Sequence, residues 1–267
     1  MLVKYVLISG ANGGMGKETI SYLVNQGYCV LALDNKEMEK QENVYPILAD
    51  VTNEESINNA FNKVCEITDT LYAIIHFAGI YMLDSLVEMP SNKFKKIFDI
   101  NVFGVYLINK TFLSLLKNNS KIIITTSELA PLDPLPFTGI YAISKSTLDK
   151  YAYSLNMELQ LLNIKVVVLR AGAIKTNMLN VSTSQLDDFC SNTKLYKCNA
   201  KRFKGIVDNV EAKSVLPIKV AQKVNKILSK KKPKFAYKIN NNKLLKLLNI
   251  LPNKMQFFII KQVLKDN

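Results

Sequence analysis

The chain alternates short apolar runs with longer segments in which apolar residues recur every three or four positions. The short runs are typical of buried parallel strands, and the longer segments are typical of helices that pack on such strands with one face. We predict strands at residues 5–9, 29–33, 44–48, 71–77, 121–126, 164–169 and 235–239. This alternation predicts an α/β fold in a single domain, with a doubly wound, mostly parallel, Rossmann-type sheet.

Two of the predicted helices carry polar signals. Thr52 and Glu55 have the spacing of a capping box, which predicts a helix start at Thr52. A long helix is predicted over residues 91–116, with Asn101 in its otherwise apolar middle. Because asparagine is disfavoured inside helices, we expect the Asn101 side chain to have a specific role.

A glycine-rich turn joins the first predicted strand to the first helix. It contains Gly10, Asn12, Gly14, Met15 and Gly16, with the glycines in the pattern GxxxGxG. Such a turn lets the backbone approach a pyrophosphate, which then lies at the helix N-terminus where free N–H groups favour anions. Ala11 and Glu18 do not fit a Walker A loop, which argues against a nucleotide triphosphatase. A simple tight turn is the alternative interpretation.

Asp34 follows the second predicted strand, about 20 residues beyond the start of the turn. A carboxylate at this position can accept hydrogen bonds from an adenosine ribose and would repel a 2′-phosphate, which favours NAD over NADP. Lys36 lies two residues further on and leaves NADP possible. A turn residue or helix cap is the alternative role for Asp34.

Tyr141 and Lys145 lie four residues apart and therefore share one face of a predicted helix. An ammonium group beside a phenol favours the phenolate, so we expect Lys145 to lower the pKa of Tyr141 from its usual value of about 10. Such a pair can exchange a proton with an alcohol. An ordinary surface pair is the alternative interpretation.

Composition narrows the class of protein. Of the 267 residues, 48% are hydrophobic and 21% are charged, which is ordinary for a globular domain, and no apolar run reaches the length of about 18 residues that predicts a membrane span. We expect a cytoplasmic protein. Four cysteines without CxxC spacing (Cys29, Cys65, Cys190 and Cys198) predict buried free thiols. A single histidine, His76, argues against a zinc site, so no metal ligand is predicted.

The positive charge is concentrated near the C-terminus. Residues 194–267 hold 19 lysines or arginines against three acidic residues, within a total net charge of +13. Residues 244–251 and 255–264 form two basic amphipathic stretches that could lie on an anionic membrane surface. They could instead pack against the body or a second subunit. We expect no nucleic-acid binding, because aromatic residues do not alternate with the basic ones in a recognised pattern.

Taken together and in order, these residues resemble the short-chain dehydrogenase/reductase family over about residues 3–240. The resemblance implies an NAD(P)-dependent oxidoreductase that interconverts a small-molecule secondary alcohol and a ketone, with a hydrophobic or steroid-like substrate and a homodimer or homotetramer. It places a substrate lid at about residues 177–216 of a domain spanning 1–240, and leaves 241–267 as a basic tail. The alternatives are a catalytically silent NAD-binding regulator, a membrane- or nucleic-acid-associated protein that uses the basic C-terminal region, and an epimerase.

The resemblance also assigns roles to residues. The catalytic set is Asn101, Ser127, Tyr141 and Lys145, and the set in contact with NAD is Gly10, Asn12, Gly14, Met15, Gly16, Asp34, Asp50, Val51, Ala78, Gly79, Tyr141, Lys145, Ile174 and Thr176. In these roles Tyr141 is the general acid or base, Lys145 also holds the nicotinamide ribose, and Asn101 anchors a water.

Three departures from the family pattern accompany these assignments. His76 and Phe77 replace two asparagines, and Ala171 replaces a proline. Ser127 lies 14 residues before Tyr141, about one more than the family spacing, so Thr126 is the alternative group for holding the substrate oxygen.

Overall fold

A parallel sheet carries the fold. The computed structural model describes residues 3–211 and 213–265, and within them seven strands form one sheet. The strands are β1 (Lys4–Ser9), β2 (Tyr28–Asp34), β3 (Val44–Leu48), β4 (Leu71–His76), β5 (Leu116–Ser127), β6 (Lys165–Ala171) and β7 (Ala236–Ile239). Their order across the sheet is β3-β2-β1-β4-β5-β6-β7, and every neighbouring pair is parallel.

Helices cover both faces of this sheet. They are α1 (Gly14–Val24), α2 (Glu54–Cys65), α3 (Ser91–Phe98), α4 (Gly104–Phe112), α5 (Gly139–Leu159), α6 (Asn177–Asn192), α7 (Lys197–Glu211), α8 (Ile218–Leu228), α9 (Lys243–Leu248) and α10 (Asn253–Leu264). Helices α2, α4 and α5 pack on one face, and α1 and α8 pack on the other. The predicted doubly wound, Rossmann-type domain is confirmed.

The two layers explain why the strands are apolar throughout. Successive side chains of a strand point to opposite faces, and here both faces are covered. Leu7 of β1 contributes to the core beneath α2, α4 and α5, whereas Val6 and Ile8 contribute to the core beneath α1 and α8. Ile122 and Ile123 of β5 divide between the two cores in the same way.

The predicted helix over residues 91–116 is wrong in its continuity and its end. A π-helical turn, Asp99–Phe103, separates α3 from α4, and β5 already begins at Leu116. The turn places Asn101 where its side chain hydrogen bonds residues of other elements, and such turns are common at functional sites. Leu116 is buried and pairs with Leu71, which explains the early start of β5.

The predicted cap of α2 is displaced by one residue. Asn53, not Thr52, caps the helix, since the Asn53 side chain accepts a hydrogen bond from the Ser56 N–H at 2.8 Å. The Thr52 hydroxyl donates instead to Asp50 Oδ1 at 2.7 Å. The Thr52 hydroxyl is therefore bound to the Asp50 carboxylate and does not cap α2.

Burial of the thiols is only partly as predicted. Cys29 on β2 is a buried thiol, as predicted. Cys65 and Cys198 are exposed, and Cys190 is half-buried, so the prediction of buried thiols is wrong for these positions. Cys65 lies in the last turn of α2 beside Val64, and it is Val64 that faces the core.

His76 ends β4 inside the core. Its Nε2 lies 2.8 Å from Asn109 Oδ1 on α4, while Nδ1 has no hydrogen-bond partner among the described residues. Burial lowers the pKa of His76 to about 4, with the Asn109 hydrogen bond opposing this change and the positive charge of Lys145 adding to it. The imidazole is therefore neutral at physiological pH and packs as part of the strand end.

A third, smaller core joins the predicted lid to the tail. Leu186 and Phe189 of α6, Phe203 of α7 and Leu264 of α10 pack together around Phe137. The last helix is therefore held against the body by its inner face. Within residues 3–211 and 213–265, no helix is both long enough and apolar enough to cross a bilayer.

Candidate active site

Three polar residues on one face of α5 meet the end of β5. Tyr141, Lys145 and Asp149 are spaced four residues apart, so they line one side of the helix. Lys145 Nζ donates to Thr125 O at 3.2 Å, and the Thr126 hydroxyl donates to Asp149 Oδ1 at 3.1 Å. Consecutive residues of β5 thus position the two side chains that follow Tyr141 along the helix.

A partly buried ion pair fixes this contact. Arg170 on β6 binds Asp149 with both ends of its guanidinium group, at 3.0 Å from Nε to Oδ1 and 2.7 Å from Nη2 to Oδ2. Arg170 pairs in register with Thr126, so β5, β6 and α5 converge on one carboxylate. Asp149 and Arg170 were not predicted from the sequence, although extending the four-residue spacing beyond Lys145 would have found Asp149.

The pKa of Tyr141 is raised, which is opposite to the prediction. Burial raises it to about 12; hydrogen bonding by the adjacent Ser127 hydroxyl opposes the rise, and the negative charge of Glu128 adds to it. Lys145 Nζ is directed at Thr125 O and lies 5.9 Å from the centre of the Tyr141 ring. Burial also lowers the pKa of Lys145, to about 8. Tyr141 is therefore protonated near neutrality and can act as a proton donor.

The hydroxyl groups of Ser127 and Thr126, the two candidates for holding a substrate oxygen, have different environments. The Thr126 hydroxyl is committed to Asp149. The Ser127 oxygen accepts a hydrogen bond from the Leu129 N–H at 3.2 Å and lies beside Tyr141, at the base of a cavity. Of the two candidates for holding a substrate oxygen, the geometry favours Ser127.

Asn101 clamps two segments together. Its Oδ1 accepts a hydrogen bond from the Ile80 N–H at 2.8 Å, and its Nδ2 donates to Ile80 O at 3.0 Å and to Ser144 Oγ at 3.1 Å. The side chain is fully buried and joins the loop after β4 to α5. The predicted role of Asn101 in anchoring a water stays a prediction.

A cleft of about 740 Å³ lies at the carboxyl ends of the strands, where the strand order reverses between β1 and β4. Most residues of the predicted NAD set line it: Gly10, Asn12, Gly14, Met15, Gly16, Asp34, Asp50, Val51, Ala78, Gly79 and Thr176. The remaining three, Ile174, Tyr141 and Lys145, line an adjoining cavity.

The glycine turn is packed too closely for side chains. Gly10 has a φ of +70°, and a Cβ there would lie 2.8 Å from the Cα of Ala78. A Cβ on Gly14 would lie 2.8 Å from the Thr176 side chain. Gly10, Gly14 and Gly16 line the cleft at the start of α1, where a helix has free N–H groups, and this fits the pyrophosphate of a dinucleotide.

Asp34 is held at the rim of this cleft. Its Oδ2 accepts a hydrogen bond from the Asn12 N–H at 2.9 Å, and its Oδ1 accepts one from the Lys36 N–H at 3.1 Å. The carboxylate thus ties the end of β2 to the glycine turn. Lys36 lines the same cleft, so both charges lie near the position expected for an adenosine ribose.

The adjoining cavity, of about 220 Å³, is mostly apolar. It shares Gly79, Ile80, Thr176 and Met178 with the cleft, so the two spaces are continuous. Its polar base is formed by Ser127, Tyr141, Lys145 and Glu128, and its cover includes Leu179, Phe203, Ile206 and, from the tail, Leu245. We call this cavity the substrate pocket.

Several residues of the substrate pocket were not predicted from the sequence. The ring of Tyr81 lies 4.8 Å, centre to centre, from the ring of Tyr141. Glu128 and Leu245 line the pocket as well, and no motif marks either residue. Among the residues that the structure describes, no three His, Cys, Asp or Glu side chains are grouped to hold a metal ion.

Comparisons with known proteins agree with this geometry. The family model described as short chain dehydrogenase matches residues 4–187. The uncharacterized oxidoreductase YbbO of Escherichia coli K12 is 30% identical over 246 residues, which cover 90% of this chain and 86% of that protein. Estradiol 17-beta-dehydrogenase 2 of Mus musculus is 32% identical over 187 residues, but these span only 49% of that protein and 66% of this chain.

The fold has close counterparts among solved structures. A short chain dehydrogenase from Burkholderia cenocepacia, in complex with NADP, superposes with a TM-score of 0.75 at 18% identity, over 99% of this chain and 98% of that one. The family model covers well over half of the chain, and the matched range includes the glycine turn, Ser127, Tyr141 and Lys145. The chain belongs to the short-chain dehydrogenase/reductase family of oxidoreductases.

Proposed function

We propose that this chain interconverts a hydrophobic secondary alcohol and the corresponding ketone, with NAD preferred over NADP. The observation that carries the proposal is the position of Tyr141 and Ser127 at the base of an apolar pocket that is continuous with the cleft for the dinucleotide. Hydride chemistry needs a proton donor beside the nicotinamide and a pocket that excludes water, and both lie at this junction.

In the proposed reaction each side chain of the site has its own role. A bound nicotinamide dinucleotide supplies the hydride in reduction and accepts it in oxidation. In reduction Tyr141 donates its proton to the carbonyl oxygen, which Ser127 holds by a hydrogen bond; in oxidation Tyr141 takes the proton of the hydroxyl group. Lys145 and Thr176, with the backbone of Ile174, would hold the nicotinamide end.

Asp34 supports the preference for NAD. Its carboxylate lines the cleft at the end of β2, and a negative charge there disfavours the 2′-phosphate of NADP. Lys36 at the same rim weakens this preference. Both reduced cofactors therefore belong in the test.

The cover of the pocket supports a lipid-like or steroid-like substrate. Leu179, Phe203, Ile206 and Leu245 present apolar surface opposite the polar base. The similarity to a mouse dehydrogenase named for estradiol also supports a steroid-like substrate. Residues of α6 and α7 would act as the lid over such a substrate.

The function is tested by Tyr141→Phe. The substitution removes the proton donor and keeps the ring, so we expect kcat to fall by at least about 100-fold, the lower end of the usual contribution of a general acid or base. The absorbance of NADH or NADPH is followed with estrone and a series of long-chain methyl ketones, and NADH binding is measured by fluorescence titration.

The control is Tyr153→Phe, the same change at an exposed position of the same helix, which should leave kcat near the wild-type value. NADH affinity should be similar in all three proteins. Undiminished turnover by Tyr141→Phe would contradict the mechanism. A wild-type protein that binds NADH but reduces no ketone would favour a dinucleotide-binding regulator.

We also propose that the protein is a homodimer or homotetramer. Tyr153, Met157 and Leu161 are spaced four residues apart on α5 and the turn that follows it, and their side chains are 58%, 51% and 81% exposed. Phe103 and Tyr106 are also exposed, on the neighbouring α4 region. A second copy of this chain would cover such an apolar stripe.

Met157→Glu combined with Leu161→Glu should therefore reduce the sedimentation coefficient from that of an oligomer to that of a monomer, because two charges cannot be buried at the contact without large cost. Val87→Glu, at an exposed apolar residue elsewhere, is the control. A wild-type protein that sediments as a monomer would contradict the proposal.

We further propose that the tail contacts an anionic membrane surface. Leu244, Leu247 and Ile250 recur every three residues at α9 and are 72%, 59% and 78% exposed. On α10, Phe258 shares the outer face with Lys254 and Lys261. The inner faces of both helices pack on the body through Leu245 and Leu264. Exposed apolar groups among lysines are complementary to an anionic bilayer.

Phe257→Ser combined with Phe258→Ser should reduce flotation with vesicles of phosphatidylcholine and phosphatidylglycerol by about fivefold or more, since two exposed aromatic anchors are removed. Leu48→Ser combined with Val87→Ser is the matched control. Wild-type flotation should disappear with phosphatidylcholine alone and weaken at high salt. Failure of the wild type to float, or a change in sedimentation caused by the phenylalanine substitutions, would contradict membrane contact.

A further inference from the structure

Glu128 is a buried carboxyl group in the substrate pocket to which the proposed mechanism gives no role. It follows Ser127 at the end of β5, and its backbone N–H donates to Ala171 O at 2.9 Å. It is the only acidic side chain among the described residues that line this pocket, and the residue is 7% exposed. A carboxylate in apolar surroundings is costly unless its oxygens are hydrogen bonded.

The two oxygens of Glu128 have different surroundings. Oε2 accepts a hydrogen bond from the Asn242 N–H at 2.5 Å. Oε1 faces Gly172, where a Cβ would lie 2.9 Å from it. Within the described chain, Oε1 accepts no hydrogen bond and Glu128 forms no ion pair. One acceptor therefore remains open beside the pocket.

The electrostatics of Glu128 agree with a carboxylate that could accept one more hydrogen bond. Burial raises the pKa of Glu128, while the Asn242 N–H and the positive charge of Lys246 oppose the rise. The negative charge of Glu128 also contributes to the raised pKa of Tyr141, so the carboxylate is close enough to influence the group that exchanges the proton. A donor brought into the pocket would stabilise the ionised carboxylate.

We propose that Glu128 determines substrate specificity, by accepting a hydrogen bond from a hydroxyl or ammonium group that the substrate carries near its reacting carbon. The inference rests on the proposed function and narrows its substrate class. The preferred substrate is an amphiphile: its apolar part lies beneath Phe203 and Ile206, and its second polar group, a donor, meets Glu128 beside Tyr141.

The competing explanation is that Glu128 only anchors the tail through Asn242. Two substitutions separate these roles. Glu128→Gln keeps an oxygen that can accept the Asn242 N–H but loses the charge. Asp133→Asn makes the same acid-to-amide change at an exposed carboxylate that also contacts the tail, by accepting a hydrogen bond from Gln256 Nε2 at 3.3 Å, but lies outside the pocket.

The probes are 1-amino-2-dodecanol, 1,2-dodecanediol and 2-dodecanol, which share a chain and a secondary alcohol and differ in the second polar group. For each protein, saturated with NAD, kcat/KM is measured by NADH formation and Kd by calorimetry. We expect the wild type to favour the amino alcohol over 2-dodecanol by about 10- to 100-fold, the usual range for hydrogen bonds to charged groups, with the diol between them.

Glu128→Gln should abolish most of this preference, whereas Asp133→Asn should keep it. An equal preference in the wild type and in Glu128→Gln, or a wild type that favours 2-dodecanol, would overturn the inference. If no alcohol is oxidised, the proposed function fails, and the ratio of the Kd values still decides the role of Glu128. Loss of the preference in both variants would assign it to tail docking and contradict a direct contact.

Discussion

The contact between α5 and the end of β5 is the interaction on which the site depends. Lys145 is hydrogen bonded to Thr125 O, and Thr126 is hydrogen bonded to Asp149. Arg170 adds a two-point ion pair from β6, in a partly buried setting where removing one partner would leave an uncompensated charge. The position of Tyr141 follows from these bonds, because its helix is fixed one and two turns further along. Groups carried by rigid elements hold their geometry better than groups on loops.

The same contact determines the protonation of the site. Lys145 hydrogen bonds to the backbone of β5, and burial is the largest effect on the pKa of Tyr141. The result is a neutral phenol beside Ser127 in an apolar pocket, next to a cleft whose glycine turn fits a dinucleotide. Glu128 adds a negative charge to this setting, and its hydrogen bond from the Asn242 N–H links the pocket to the tail.

Much of this arrangement could be predicted from the sequence, for physical reasons. Strands covered on both faces are apolar throughout, so β1 to β7 stand out as short runs, and the glycine turn is recognisable because side chains at Gly10 and Gly14 would collide with neighbouring segments.

The errors arose where long-range contacts override local pattern. The π-helical turn at Asn101 depends on partners at Ile80 and Ser144, and the displaced cap of α2 depends on the Asp50 carboxylate. The Lys145 side chain donates a hydrogen bond to a carbonyl group of β5, and this contact cannot be inferred from the spacing of residues along the sequence. No motif marks Glu128, because its neighbours, Gly172 and a backbone N–H of the tail, meet it only in the folded chain.

The most direct test of the account is the ionisation of Tyr141 in the cofactor-free protein. Tyrosine labelled with carbon-13 at Cζ reports phenolate formation by NMR, and Tyr141→Phe identifies the resonance. If burial outweighs Lys145, the Tyr141 signal should show no titration up to a pH of about 10, the usual pKa of a tyrosine. A midpoint near neutrality would show that Lys145 sets the charge of Tyr141 and would contradict the account.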